Sequence, residues 1–110
     1  MPATETVTIA IGRNRTNKPE LGEYAWRSFR EDVRHALVTL NATTYSTTEG
    51  AADWNGVPET THVVVASLAD HDTTRLLAHI LRRLAAKYEQ DAIALTFGRT
   101  ALLLPSRGDI

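Results

Sequence analysis

The spacing of apolar residues predicts an α+β domain of ferredoxin-like type. It has the order βαββαβ, an antiparallel sheet, two helices on one face, and a short extra C-terminal hairpin strand. Three observations carry this reading. Val7, Ile9 and Ile11 alternate with small or polar residues, as in a half-buried strand. Trp26, Phe29, Val33, Leu37 and Leu40 recur every three or four residues, and Leu76, Leu77, Ile80, Leu81, Leu84, Ala85 and Tyr88 form a second helical stripe. His62-Val63-Val64-Val65-Ala66 is apolar on both faces, as a central strand is. Two apolar helix faces and three strands needing cover are satisfied together when both helices pack on one side of the sheet.

The elements follow in order. The first strand covers 6–11 and ends at Gly12, and the polar stretch 13–22, with Pro19 inside and Gly22 at its edge, reads as a loop. Helix one runs from about 23 to 40, Ala36 widens its stripe, and Asn41 is its left-handed stop. Residues 42–48, rich in threonine around Tyr45, read as an edge strand with polar faces. Gly50, Gly56 and Pro58 mark 49–59 as a loop before the central strand at 60–68. Asp70 or Asp72 caps helix two, which runs to about 88 and carries Arg82, Arg83 and Lys87 toward the negative end of its dipole. Strand 92–97, the turn Gly98-Arg99 and strand 100–104 make a closing hairpin. The whole is one domain spanning 1–110, with 1–5 and 106–110 as flexible ends.

The sheet face away from the helices carries Thr8, Ala10, Ala94 and Thr96 and no charge. Such a face calls for cover, and the expected cover is a second copy in a homodimer.

Composition excludes several functions. The 110 residues contain no cysteine, so a thiolate nucleophile and disulfides are ruled out within them, and a reducing cytoplasm is the expected setting. No signal-like start and no apolar run long enough to span a bilayer occurs, so no membrane role is expected. The net charge is −1, and Arg27, Arg30 and Arg34 share helix one with Glu23, Glu31 and Asp32, so no basic face for nucleic acid is expected. His35, His62, His71 and His79 lack metal-ligand spacing, and no Gly-x-Ser-x-Gly occurs, so neither metal, cofactor nor catalytic serine is expected.

The predicted topology brings three polar connections to one edge of the sheet: 12–22, 49–59 and 89–91. They hold Arg13, Asn14, Arg15, Lys18, Asp53, Trp54, Asn55, Glu59 and Gln90, the candidate binding residues. The cations of 12–18 and its backbone N–H groups suit a phosphate or carboxylate, although the Walker order is missing; alternatively they brace neighbouring turns. Trp54 either folds over the end of the core or presents its ring to a partner. Glu59 is placed to pair with Arg13, and residues 89–91 to serve as a helix-terminal turn.

Gly12-Arg13-Asn14, Trp26 and Phe29, Trp54-Asn55-Gly56 with Glu59, and Gln90 with Ala92-Ile93 together resemble a group of small uncharacterised proteins of actinobacteria and their phages. The resemblance implies a stand-alone cytoplasmic protein, an accessory gene product of a phage. The strand order also resembles dimeric α+β barrel monooxygenases, some of which use Asn, Trp and His around a substrate or haem; here no histidine lies near Trp54 and Asn55.

The expected function is therefore a small non-catalytic binding module whose loop edge engages a host protein or a small anionic ligand. One alternative is a small enzyme acting on a polar small molecule held by Arg13, Glu59 and Gln90. The other is a self-assembling structural subunit.

Overall fold

The structure is a computed structural model that describes residues 4–15, 17–54 and 56–105; at 44, 45, 52–54 and 57 it describes the backbone alone. The elements are β1 (Glu5–Gly12), α1 (Glu23–Thr39), β2 (Thr43–Trp54), β3 (Val57–Leu68), α2 (His71–Lys87), β4 (Ala92–Phe97) and β5 (Thr100–Pro105). The strands form one sheet in the order β2-β3-β1-β4-β5, with every neighbouring pair antiparallel. The predicted βαββαβ core with an added hairpin strand is what the chain adopts.

Alternation along the strands decides which side is dry. Val7, Ile9 and Ile11 of β1, Val64, Ala66 and Leu68 of β3, and Ile93 and Leu95 of β4 are buried. They meet Trp26, Phe29, Val33 and Leu37 of α1 and Leu77, Leu81 and Ala85 of α2 in one core. Trp26 meets Phe29 edge-on, and Phe29 stacks on Tyr88 at 4.5 Å between ring centroids, tying the two helices together.

The helix ends follow from local chemistry. Asp70 caps α2 by accepting from the Thr73 N–H at 2.8 Å. The α1 cap, Gly22, makes no side-chain bond. Both helices close in the same way: Ala42 N–H donates to Leu37 and Asn41 N–H to Val38, while Gln90 N–H donates to Ala85 and Glu89 N–H to Ala86. Asn41 and Glu89 adopt φ values of 57° and 55° at these stops. The expected role of Asn41 holds, but a glutamate in that backbone region is unusual.

The structure corrects the predicted loop at 49–59. β2 and β3 continue as a long hairpin, pairing Glu49 with His62 and Trp54 with Val57. β2 ends at Trp54 and β3 starts at Val57, and Gly56 between them takes the positive φ (79°) that a tight hairpin turn needs. Gly50 and Pro58 do not break the strands. β1 ladders with β3 only from Thr61 onward. On that side the Pro58 carbonyl accepts from the Asn14 side chain, so the missing proline N–H interrupts no ladder bond. The expected flexible end is corrected too: Glu5 opens β1 opposite Leu68. Residues 1–3 and 106–110 lie outside the described residues. The closing hairpin is as predicted, with Phe97 opposite Thr100 and Gly98 at φ 55°.

Candidate functional site

The C-terminal end of β1, the tip of the β2–β3 hairpin and the junction from α2 to β4 meet at one pole of the sheet. Asn14 is the hinge of this meeting. Its N–H donates to the Glu59 carboxylate at 2.9 Å, its side-chain amide donates to Pro58 O at 3.0 Å, and its carbonyl accepts from Gln90 Nε2 at 3.1 Å. Gln90 is buried, and its amide also reaches Tyr88 O at 3.3 Å. Three segments distant in sequence are thus held by one asparagine and one glutamine.

Glu59 is the chemically distinctive group. Its carboxylate lies directly over the backbone of Gly12, so that a Cβ on Gly12 would fall inside the contact distance of all three carboxylate atoms. Burial pushes its pKa above the ordinary carboxylate value; the Asn14 N–H opposes this only in part, and the Asp91 charge adds to it. The expected Arg13–Glu59 pair does not form. Arg13 turns the other way, donating to Leu21 O at 2.6 Å and facing Glu23 at 3.5 Å.

The cations of the 12–18 segment act as braces. Arg15 donates to Pro19 O at 2.8 Å and faces Glu89 at 3.6 Å, while Lys18 bonds the same Glu89 carboxylate. Glu89 is held below its usual pKa by the Lys18 hydrogen bond and by both cations. The expected anion cradle is therefore already filled by the protein's own carboxylates and carbonyls. The backbone of Asp53 and Trp54 lies in β2 near the tip, rather than in a loop, and Asn55 lies outside the described residues.

Two further features border this pole. A cleft of about 290 Å³ on the helix side is lined by Arg15, Leu21, Tyr24, Ser28 and Tyr88. Beside it Tyr88 OH donates to Asp32 at 2.6 Å and lies 2.7 Å from Ser28 Oγ, while Lys87 donates to Asp32 at 2.8 Å. Behind β2, His62 is buried beside Arg30, and Arg30 bonds Glu49 at 3.0 Å. Burial and the Arg30 cation hold the His62 pKa below its ordinary value. Among the described residues, no three His or carboxylate groups lie together to hold a metal ion, and no helix is long and apolar enough to cross a membrane.

The chain shares its fold with a phage SAM lyase. The apo form of that enzyme matches with a TM-score of 0.66 at 13% identity, over 94% of this chain and 90% of that one. Its complex with S-methyl-5'-thioadenosine matches with a TM-score of 0.61 at 10% identity, over the same shares, 94% and 90%. A de novo designed protein, Foldit4, matches with a TM-score of 0.57 at 17% identity, over 89% of this chain and 99% of that one. No family model and no curated protein matches the sequence.

These likenesses establish the fold. They also correct the expected non-catalytic module, because a natural protein that shares this architecture over nearly the whole chain is an enzyme. Sequence reading named Glu59, Asn14 and Gln90 but missed Gly12 as the seat of the carboxylate. The signal was present: a glycine closing a strand often marks a close approach rather than a mere stop.

Proposed function

We propose that the chain is a small enzyme acting on a cationic adenosyl sulfonium compound of the S-adenosylmethionine class, cleaving it as a lyase. The observation that carries this reading is Glu59, a partly dry carboxylate with a raised pKa, set on Gly12 at the pole where the three connections meet. An incompletely compensated carboxylate is a ready site for a cation. At about 4 Å and an effective dielectric near 20 the attraction is about 4 kcal/mol. Its fold partners, a phage SAM lyase and that enzyme's complex with S-methyl-5'-thioadenosine, support the substrate class.

The chemistry limits where Glu59 acts. Cleaving the bond between sulfur and the aminocarboxypropyl arm sends the bonding pair to sulfur and leaves a neutral thioether, while the arm's own carboxylate oxygen closes on the carbon that sulfur leaves and forms a lactone. A carboxylate pressed on the sulfonium would hold the substrate more tightly than the less charged transition state. The useful place for Glu59 is therefore at the ammonium of the arm, fixing its orientation while sulfur leaves. A sulfonium leaves as a neutral thioether and needs no acid to depart. The phage origin of that lyase supports a phage accessory enzyme, and the absence of cysteine suits work in the cytoplasm.

The test is incubation of the purified chain with S-adenosylmethionine and chromatographic detection of S-methyl-5'-thioadenosine. Glu59→Gln and Gly12→Ala, the second displacing the carboxylate without removing it, should each lower kcat/KM at least 100-fold with circular dichroism unchanged. No thioether product and no ligand-induced thermal shift at millimolar substrate would end the proposal.

A further inference from the structure

The helix-free face of the sheet is uncharged between its poles. Registers set its residues in rows: Thr8 lies beside Val65 and Thr96, with Ala101 beyond, and Ala10 lies beside Val63 and Ala94, with Leu103 beyond. β2 adds Ser46 opposite Val65 and Thr48 opposite Val63. Charged residues make up 23% of the chain, so a solvated face of this size should carry several. The nearby charges sit elsewhere. Glu49 pairs with His62 on the helix side, Glu5 lies opposite buried Leu68, and Glu59 stands at the rim. The outer edge is apolar as well: β5 reads Thr-Ala-Leu-Leu-Leu-Pro, with Leu103 58% exposed, and lacks the charges that usually guard an edge strand.

We infer that this face is an interface between copies of the chain. The occupant follows from charge and size. Two such faces oppose no like charges and desolvate no ion when they meet. Small residues at 8, 10, 94 and 96 leave the surface flat enough for sheets to pack at about 10 Å. Five strands about 4.8 Å apart, each contributing six residues or more at about 3.3 Å, cover roughly 500 Å² per copy, or about 1,000 Å² in all. That reaches the lower bound for a specific protein interface. Assembly is measured without substrate, so its outcome is independent of the catalytic reading.

Sedimentation velocity and light scattering of the full chain from 1 to 200 μM test it. Wild type should sediment as a multiple of 12.1 kDa. The double variant Thr96→Lys/Leu103→Lys places charges at two exposed positions and should raise the dissociation constant at least 100-fold with circular dichroism unchanged. Leu76→Lys, on exposed helix surface, is the control and should leave assembly intact. A monomer at every concentration overturns the inference, as does an assembly that the face charges leave intact.

Discussion

The carboxylate of Glu59 lies against a glycine with one backbone donor, and burial raises its pKa. The sign of its effect on stability follows. Below the unfolded value of 4.5 the group is protonated in both states and costs nothing. As pH rises through the elevated folded value, the native state must ionise a partly dry group, and stability falls. Glu59→Gln keeps an acceptor for the Asn14 N–H and removes that cost. Urea unfolding should show the variant at least as stable as wild type at pH 7, with the gap closing toward pH 4; a variant clearly weaker at pH 7 would make Glu59 a structural residue. The buried imidazole of His62 acts in the opposite direction. Its folded pKa lies below 6.5, so the unfolded chain binds the proton more readily, and stability present above pH 6.5 is lost as pH falls below it. Arg30 adds to this and Glu49 opposes it. His62→Leu should flatten the decline between pH 6.5 and 5, and a decline unchanged in the variant would assign it to other groups.

At the scale of elements, α1 and α2 are joined by more than apolar contact. Tyr88 leaves the end of α2, stacks on Phe29 and delivers its hydroxyl to Ser28 and Asp32 of α1. Burial opposes ionisation of Asp32, but hydrogen bonds from Lys87 and Tyr88 hold its pKa below the usual value. Tyr88→Phe keeps the ring and removes the hydroxyl, and it should cost about 1–2 kcal/mol in urea unfolding. A cost below about 0.3 kcal/mol would show that the helices are held by the core alone. The helices themselves were legible in the sequence, because an apolar stripe at a period of 3.6 lines one face of a helix and would scatter over both faces of a strand. The β2–β3 hairpin was legible only in part. Gly50, Gly56 and Pro58 all read as loop punctuation, whereas of the three only Gly56 lies between the strands. A proline whose N–H side lacks a ladder partner, and a glycine in an edge strand, both persist inside regular structure.

For the whole molecule, topology was recoverable because both helices and most strands had an apolar face to bury and a single layered arrangement satisfied all of them. The pole was recoverable for the same reason, since strand order alone determines which connections share an end. Its chemistry was less so: Arg13, Arg15 and Lys18 have the look of an anion site, yet Leu21 O, Pro19 O and Glu89 take them up, and those pairings depend on how the folded segments meet. What remains is the partly buried carboxylate of Glu59, which also feels the like charge of Asp91. That sign favours a cationic ligand, and thermal unfolding can weigh it. A ligand at 100 times its dissociation constant stabilises by about 2.7 kcal/mol. For a domain of this size that is roughly 10 °C in Tm. S-adenosylmethionine should therefore raise Tm well above the effect of equal S-methyl-5'-thioadenosine, which lacks both the sulfonium and the ammonium. The difference should shrink with added salt and disappear in Glu59→Gln. Equal shifts from the two ligands, or a difference that persists in Glu59→Gln, would remove the carboxylate from recognition while leaving the fold as described.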